Sequence, residues 1–181
     1  MAISGPSGVG KGTLVKMLLE NDSDIVASVS CTTRAPREGE KDGREYFFVS
    51  REEFERKIEA NGFLEYDEHF GNLYGTPLSF VEETLKTKSV ILEIDVRGAM
   101  SAKKRMLDTV TVFLAPPSTE ELLSRLRGRK TESDEQMEER LRRVEFELSY
   151  ADRYDYTVVN DSLQETYGRL REIIEYERGR G

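Results

Sequence analysis

Short runs of β-forming apolar residues alternate along the chain with longer stretches whose apolar positions recur at helical spacing. Most of the short runs are apolar on both faces, which is typical of parallel strands buried between helices. The runs predict strands at residues 2–4, 25–32, 89–95, 110–114 and 156–159. The pattern therefore predicts an α/β fold in which a parallel sheet is flanked by helices.

The predicted helices have clear N-terminal signals. A serine followed three residues later by Glu or Gln has the spacing of a capping box, which satisfies backbone groups at the start of a helix. Four pairs have this spacing: Ser50/Glu53, Ser118/Glu121, Ser133/Gln136 and Ser162/Glu165. A further helix is predicted to begin at Pro77 behind Thr76, because proline is favoured in the first helical turn.

The alternation stops between Arg34 and Tyr74. Glycine-rich turns, a short aromatic strand at 46–49 and one helix at 50–60 take its place. We predict that this segment is an insertion with its own small architecture. The 181 residues contain no repeat or Pro/Ser-rich linker, and this length predicts a single domain.

The composition narrows the classes of function. With 35 acidic and 27 basic residues the formal charge is −8, so broad nucleic-acid binding is disfavoured and any anion site must be a local cluster of cations. One cysteine, Cys31, and one histidine give neither an intrachain disulfide nor a recognisable zinc site. Neither a signal peptide nor a run of about 20 apolar residues is present. We expect a cytoplasmic protein that does not span a membrane.

A glycine-rich loop lies between the first strand and a helical segment. Its glycines permit positive φ, which turns successive N–H groups inward at a helix N-terminus, and its lysine supplies a charge for the β- and γ-phosphates of a nucleotide. This context is the one that a phosphate-binding loop requires. The residues predicted to bind ATP are Gly5, Pro6, Ser7, Gly8, Val9, Gly10, Lys11, Gly12 and Thr13.

Gly12 departs from the common pattern of such loops. Ser or Thr usually follows the lysine, whereas here the hydroxyl comes one place later, at Thr13. The departure weakens the case for direct ligation of Mg²⁺ by a hydroxyl. It favours a nucleotide kinase, in which water and phosphate oxygens complete the magnesium octahedron, over a GTPase or motor ATPase.

Segments distributed along the rest of the chain carry a family resemblance. They are residues 30–40, 43–48, 62–66, 71–76, 91–95, 115–118, 127–129 and 159–161. Over essentially its whole length the chain resembles the guanylate kinases, with a shorter apolar strand before the loop. The resemblance implies one domain, 1–181, with a mobile GMP-binding region near 30–80 and a lid near 118–142. It also implies transfer of a phosphoryl group from ATP to GMP, with Mg²⁺ as cofactor, in purine nucleotide metabolism; dGMP stays open as a second acceptor.

The GMP site that the resemblance implies suits guanine chemically. A carboxylate accepts hydrogen bonds from N1–H and N2–H₂ of guanine, and a hydroxyl donates to O6. Glu65, Ser30 and Thr76 supply these groups, whereas adenine would leave them unpaired. Guanidinium forks and phenol hydroxyls suit the phosphate of GMP, and the resemblance assigns it to Arg34, Arg37, Tyr46 and Tyr74.

Glu93 and Asp95 end an apolar strand at the carboxyl edge of the sheet, where ligands bind in open α/β folds. Three interpretations stay open. Asp95 acts on Mg²⁺ or its waters, as Thr13 does; or the two carboxylates face guanine and the outer shell of the metal, as the resemblance implies; or Asp95 caps the next helix.

A basic cluster at 125–130 resembles the family's lid, and Arg140 follows it. Cationic groups stabilise the charge that spreads over a phosphoryl group in transfer. Some of these arginines instead pair with glutamates at helical spacing. The residues predicted to act in catalysis are Lys11, Arg34, Arg129 and Arg140.

Three residues outside these groups need comment. Asn160 resembles a residue near the adenine of the donor. His69 and Cys31 are expected to be surface or packing residues, because phosphoryl transfer needs no protein nucleophile and no strong base.

Two rival functions stay open. Guanylate-kinase-like modules of scaffolding proteins bind phosphorylated peptides without catalysis, but such modules usually have degraded phosphate loops, whereas Lys11 and three loop glycines are kept here. A kinase for another nucleoside monophosphate is the second rival, and the carboxylate and hydroxyl set argues against it.

Overall fold

The computed structural model describes residues 1–69, 71–118, 120–122 and 134–180, with residues 134–137 described by their backbone alone. In these residues the strands form two sheets, and α-helices flank the larger one. No helix of the described residues is long and apolar enough to cross a membrane.

The larger sheet is parallel. Its strands are β1 (Ala2–Ser4), β2 (Ile25–Ala27), β7 (Ser89–Glu93), β8 (Thr111–Ala115) and β9 (Tyr156–Val159). Within the described residues their order in the sheet is β2-β7-β1-β8-β9, and every neighbouring pair is parallel. The shortest apolar run, β1, lies at the centre and is fully buried, so the phosphate loop that follows it starts from the middle of the sheet.

The insertion forms the smaller sheet. Its strands are β3 (Ser30–Thr32), β4 (Tyr46–Phe48), β5 (Phe63–His69) and β6 (Asn72–Pro77), in the order β4-β3-β6-β5 among the described residues. The single strand predicted at 25–32 is therefore two strands in different sheets. The Ser28 N–H donates to Ile91 O at 2.8 Å as the last contact with β7, and the chain then leaves to pair with β4 and β6.

The described helices are α1 (Lys11–Asn21), α2 (Arg51–Glu59), α3 (Leu78–Leu85), α4 (Val96–Arg105), α5 (Asp134–Leu148) and α6 (Leu163–Arg178). The capping box at Ser50 is present, and Ser118 and Ser162 accept from backbone N–H groups at 3.1 and 3.5 Å. Pro77 is the N-cap of α3, while Ser133 lies outside the described residues.

Hydrophobic cores lie on both faces of the large sheet, because successive strand residues point in opposite directions. Ile3 and Ile91 pack with α1 and α6, whereas Ala2 and Leu92 pack with α3 and α4. A third cluster fills the insertion, where the rings of Phe54 and Phe63 stack at 4.3 Å. Cys31 is buried in this cluster, so it is the packing residue that the sequence predicts.

Candidate functional site

The loop between β1 and α1 has the backbone of an anion-binding turn. Gly5 and Gly10 have φ of 147° and 100°, values that L side chains rarely adopt. A Cβ at Gly5 would lie 2.2 Å from Leu114 O, so the strand beside β1 also excludes any side chain there. The loop thus has the positive-φ glycines that the sequence analysis expects of a phosphate-binding loop.

The side chain of Asn160 contacts the backbone of this loop. Its side chain is buried, and Nδ2 donates to Val9 O at 2.7 Å. The resemblance associates Asn160 with the adenine of the donor, which stays a prediction; in the structure its amide donates to the loop backbone. The physical reason is position: Asn160 follows β9, and its N–H donates to Ala115 O at the carboxyl end of β8, next to the loop.

Lys11 lies folded against the loop that precedes it. Its Nζ donates to Gly5 O at 2.6 Å and to Pro6 O at 3.3 Å. Burial lowers the pKa of the ammonium, and the carboxylates of Glu147 and Glu93 act in the opposite direction. The two acidic side chains therefore oppose the loss of charge from the lysine that burial favours.

Glu93 lies beside Gly12, the residue that stands where Ser or Thr is usual. Its carboxylate oxygens lie 3.6 and 3.8 Å from the point where a Cβ on Gly12 would be, which is ordinary van der Waals contact, so the available space does not exclude a side chain there. Loss of water around Glu93 raises the pKa of that carboxyl, while Lys11 lowers it. The carboxylate oxygens of Glu93 lie beside the loop, where they suit a hard divalent cation that is bound together with nucleotide phosphates.

A buried carboxylate stands at the junction of the insertion and the core. Glu65 is only 8 % exposed, and its Oε1 accepts from Thr76 N at 3.1 Å and from Thr76 Oγ1 at 2.6 Å. Burial raises the pKa of Glu65, and the two bonds from Thr76 oppose that rise. The threonine hydroxyl predicted to donate to guanine thus donates to the neighbouring carboxylate, since β5 and β6 pair these two residues.

Asp95 both caps a helix and approaches Glu65. Its Oδ1 accepts from Gly98 N at 2.7 Å, which is the helix-capping interpretation. A Cβ at Gly98 would lie 2.9 Å from Glu65 Oε2 and 3.3 Å from Asp95 Oδ1. The first turn of α4 therefore brings the two carboxylates to one place.

His69 also reaches Asp95. Its Nε2 lies 3.2 Å from Asp95 Oδ2 and 3.8 Å from Asp67 Oδ2. Ligand atoms of these three residues lie within 4.8 Å of one another, which is close enough to hold a metal ion. His69, expected to be a surface or packing residue, thus connects the tip of β5 to the core.

Arg34 and Arg37 are organised by a glutamate that the sequence analysis did not single out. Glu40 Oε1 accepts from Arg34 Nη2 at 2.9 Å, and Glu40 Oε2 accepts from Arg37 N at 2.7 Å. Glu40 and Tyr74 raise the pKa of the Arg34 guanidinium, which also lies 5.5 Å from the ring centroid of Tyr46. The arginines and phenols predicted for the GMP phosphate therefore meet at one turn.

One cavity of about 450 Å³ joins the loop to the insertion, and this volume lies in the usual range for small-molecule sites. Ser7 and Lys11 line one side, Ser30 and Tyr46 the other, and Asp95 the floor. A second cavity of about 230 Å³ beside it is lined by residues of β5, α4 and α5. The structure thus brings together residues that the sequence places up to 142 positions apart, from Gly5 to Glu147.

The predicted lid residues are only partly described. Arg129 and the rest of the basic cluster lie outside the described residues, while Arg140 lies on α5. On the same helix, Arg143 and Glu147 line the cavity beside the phosphate loop, although the sequence analysis did not select them. Their only signal in the sequence is helical spacing, which charged pairs on helix surfaces share.

Comparisons with known proteins agree with this geometry. The family described as guanylate kinase matches residues 1–177. A guanylate kinase from Caldanaerobacter subterraneus subsp. tengcongensis is 45% identical over 181 residues, covering 99% of this chain and 88% of the relative. One from Clostridium tetani is 48% identical, covering 99% and 86%.

A solved structure matches the fold. The crystal structure of guanylate kinase from Anaplasma phagocytophilum superposes with a TM-score of 0.74 at 38% identity, covering 97% of this chain and 84% of that one. The family match extends over both sheets and over the loop, Glu65 and Asp95, so it includes every described part of the site. This chain belongs to the guanylate kinase family.

Proposed function

We propose that this chain catalyses the reversible transfer of the γ-phosphoryl group of ATP to GMP, giving ADP and GDP, with Mg²⁺ bound to the nucleotide. The observation that carries the proposal is the single cavity that joins Lys11 and its loop to the Ser30 and Tyr46 side of the insertion, with Asp95 between them. We also propose that the reaction takes place in the cytoplasm.

ATP binds at the loop between β1 and α1. The inward N–H groups and the positive end of α1 hold its phosphates, and Lys11 leaves the carbonyls of Gly5 and Pro6 to follow the β- and γ-phosphates. Glu93 and Asp95, at the carboxyl edge of the sheet, hold Mg²⁺ through its waters, and Thr13 adds a hydroxyl at the start of α1. When bound, Mg²⁺ supplies positive charge to the phosphates in transfer.

GMP binds between the small sheet and α4. Glu65 accepts from the N1–H and N2–H₂ groups of guanine, and Thr76 holds the Glu65 carboxylate in orientation through its two hydrogen bonds. Ser30 supplies the hydroxyl for O6. Adenine carries no N1 proton, so it would offer the buried Glu65 carboxylate no donor from N1, and discrimination follows from that missing hydrogen bond.

The phosphate of GMP binds to Arg34, Arg37, Tyr46 and Tyr74. Glu40 accepts from the Arg34 guanidinium and from the Arg37 backbone N–H, so it holds the Arg34 side chain and the turn in place before the dianion binds. Aligned in this way, a phosphate oxygen of GMP attacks the γ-phosphorus in line with the departing ADP.

The insertion near 30–80 acts as the GMP-binding region, and the region near 118–142 contributes Arg129 and Arg140 to the phosphoryl group. Both cations stabilise charge on its equatorial oxygens, as the basic cluster of the sequence predicts. The partners of the chain are thus two nucleotides, and neither nucleic acid nor a membrane takes part.

A coupled assay with each nucleoside monophosphate tests the proposal. GMP is expected to be phosphorylated, and AMP and UMP to give rates lower by about 10⁴-fold. Equal rates with AMP or UMP would exclude the role of Glu65. Lys11→Met is expected to lower kcat by about 100-fold, whereas Lys16→Met, on the solvent side of α1 and paired with Glu20, leaves kcat unchanged.

A further inference from the structure

Helix α5 places a charged pair, Arg143 and Glu147, against the phosphate loop. Arg143 lines the large cavity together with Ser7 and Lys11, and it also lines the adjoining smaller cavity together with Asp95. It therefore lies between the donor side and the acceptor side of the site. The inference drawn from this position rests on the proposed phosphoryl transfer.

Glu147 is not an ordinary surface partner. Its side chain is only 7 % exposed, and its Oε1 accepts from Arg143 Nε at 3.4 Å. Burial raises the pKa of Glu147, while Arg143, Lys11 and the backbone N–H of Ser7 act in the opposite direction. The carboxylate thus lies among the cations of the phosphate site.

The same helix contains an internal comparison. Arg142 and Glu138 have the same four-residue spacing, but their side chains are 74 % and 75 % exposed and 3.9 Å apart. An exposed pair of this kind contributes little to stability. Glu147, by contrast, is buried against the loop, so its pairing with Arg143 is not an exposed surface pair of this kind. We therefore look for its role in the site.

The charges around Arg143 indicate which kind of ligand the site would bind. Arg143 lies close enough to Lys11 to lower the pKa of its ammonium, so two cations are held together across the cavity. Glu147 and Glu93 offset their repulsion in the protein, and the phosphates of a bound nucleotide would replace that compensation with a larger negative charge. The arrangement fits a polyphosphate that spans the two cavities.

We propose that Arg143 is a catalytic residue that binds the phosphoryl group during transfer, and that Glu147 is its positioning residue. The bond between the γ-phosphorus and the bridging oxygen of ADP breaks while a bond to a GMP phosphate oxygen forms, and the electron pair of the broken bond remains on ADP. The guanidinium stays protonated throughout and stabilises the equatorial oxygens.

Steady-state kinetics of Arg143→Gln against Arg142→Gln tests the first part. Arg143→Gln is expected to lower kcat by about 100-fold with the KM for GMP changed less than threefold, Arg143→Lys to recover part of the loss, and Arg142→Gln to stay within twofold of the unsubstituted protein. An Arg143→Gln enzyme with kcat within threefold of the unsubstituted one would overturn the proposal.

A double-substitution cycle tests the positioning residue. Glu147→Gln is expected to lower kcat about tenfold alone and to have almost no effect when Arg143→Gln is already present. If the losses of kcat in the two single variants add in the double variant, the two residues act independently. That result, or a loss of kcat in Glu147→Gln that is accompanied by a loss of thermal stability, would show that Glu147 serves packing only.

Calorimetric titration with inorganic tripolyphosphate separates this inference from the proposed function. Its affinity is expected to fall at least tenfold in Arg143→Gln and to stay unchanged in Arg142→Gln. If the unsubstituted protein failed to phosphorylate GMP, the proposed function would be wrong. The difference in tripolyphosphate affinity between the two variants would still decide whether Arg143 binds phosphate. Equal affinities in the two variants would overturn the role of Arg143.

Discussion

At the scale of single residues, the site depends on carboxylates whose surroundings set their charge. Glu65, Glu93 and Glu147 each lose water contacts, which raises the pKa of each carboxyl. Hydrogen bonds from Thr76 oppose this effect at Glu65, and the Lys11 ammonium opposes it at the other two. Each carboxylate therefore needs a specific neighbour to remain ionised.

Removing the charge of Glu65 tests its role in guanine recognition. Glu65→Gln is expected to raise the KM for GMP by about 100-fold, because an amide cannot accept from both guanine nitrogens, and to leave the KM for ATP unchanged. Glu68→Gln, on the opposite face of the same strand, is the matched control and is expected to have no effect. Equal changes in both variants would contradict the assignment.

The raised pKa of Glu65 predicts a pH dependence of base binding. As the pH falls through a value above the ordinary 4.5, the carboxyl becomes protonated and loses its acceptor capacity, so binding weakens. Guanosine, which carries the base without the phosphate, isolates this group. Its inhibition constant against GMP is expected to rise as the pH falls toward 4.5 in the unsubstituted protein. A constant that does not change with pH would exclude this titration.

At the scale of elements, the first turn of α4 is the most restrictive piece of the acceptor site. Asp95 caps it, and Ser4 Oγ donates to Ile94 O and Asp95 O at 2.9 and 3.1 Å, which ties the turn to the central strand. Gly98 then leaves room for the Glu65 carboxylate. Strand, turn and helix are thus fixed relative to one another.

Gly98→Ala is expected to disturb the acceptor side more than the donor side. The added methyl group would lie 2.9 Å from Glu65 Oε2 and 3.3 Å from Asp95 Oδ1, and an overpacking cost of about 1–3 kcal/mol corresponds to a KM for GMP raised roughly 5- to 150-fold. The KM for ATP should change less than the KM for GMP, because the contact with Asp95 is the longer of the two. A KM for GMP within twofold of the unsubstituted value would show that the carboxylate does not need this space.

Helix α6 offers a matched substitution with the opposite result. A Cβ at Gly168 meets nothing within 4 Å, so Gly168→Ala is expected to stabilise the helix by about 0.5–1 kcal/mol without touching the site. For a domain of this size that corresponds to a rise in Tm of roughly 1–4 °C. Thermal denaturation measures it, and a lower Tm would contradict the expectation.

The elements also show where sequence reasoning reached its limit. The capping box at Ser50 is confirmed because its partners are three residues apart. The run 25–32 was predicted as one strand because its residues all favour β structure, yet its two ends pair with strands that lie far apart in the sequence. Local preference sets the type of an element, while pairing sets where it ends.

At the scale of the whole molecule, an acidic protein keeps its functional cations in one cleft. The formal charge is −8, but Lys11 and Arg143 line the main cavity, and Arg34 stacks over Tyr46 at its rim. Glu93, Asp95 and Glu147 line the same cavity, so the site for anions is local to these cations within a cleft that is not broadly positive. The predicted exclusion of broad nucleic-acid binding and the proposal of a nucleotide substrate are consistent with this distribution.

Substrate binding should stabilise the whole fold, because the proposed GMP site includes residues of both the insertion and the core. At a GMP concentration 100 times its Kd, linkage adds about 2.7 kcal/mol to the free energy of unfolding, a rise in Tm of roughly 5–11 °C for a domain of this size. AMP at the same concentration is expected to shift Tm by less than about 1 °C. Equal shifts with both nucleotides would contradict guanine selectivity.

The sequence by itself determined the α/β class, the phosphate loop with Lys11 and the family, because these depend on periodicity and on motifs within a few residues. Only the tertiary structure decided that Asn160 bonds to the loop backbone, that Thr76 holds Glu65 while Gly98 leaves room for it, and that Arg143 and Glu147 line the cavity beside the phosphate loop. Those contacts join residues up to 151 positions apart, and a one-dimensional pattern carries no record of which distant surfaces meet.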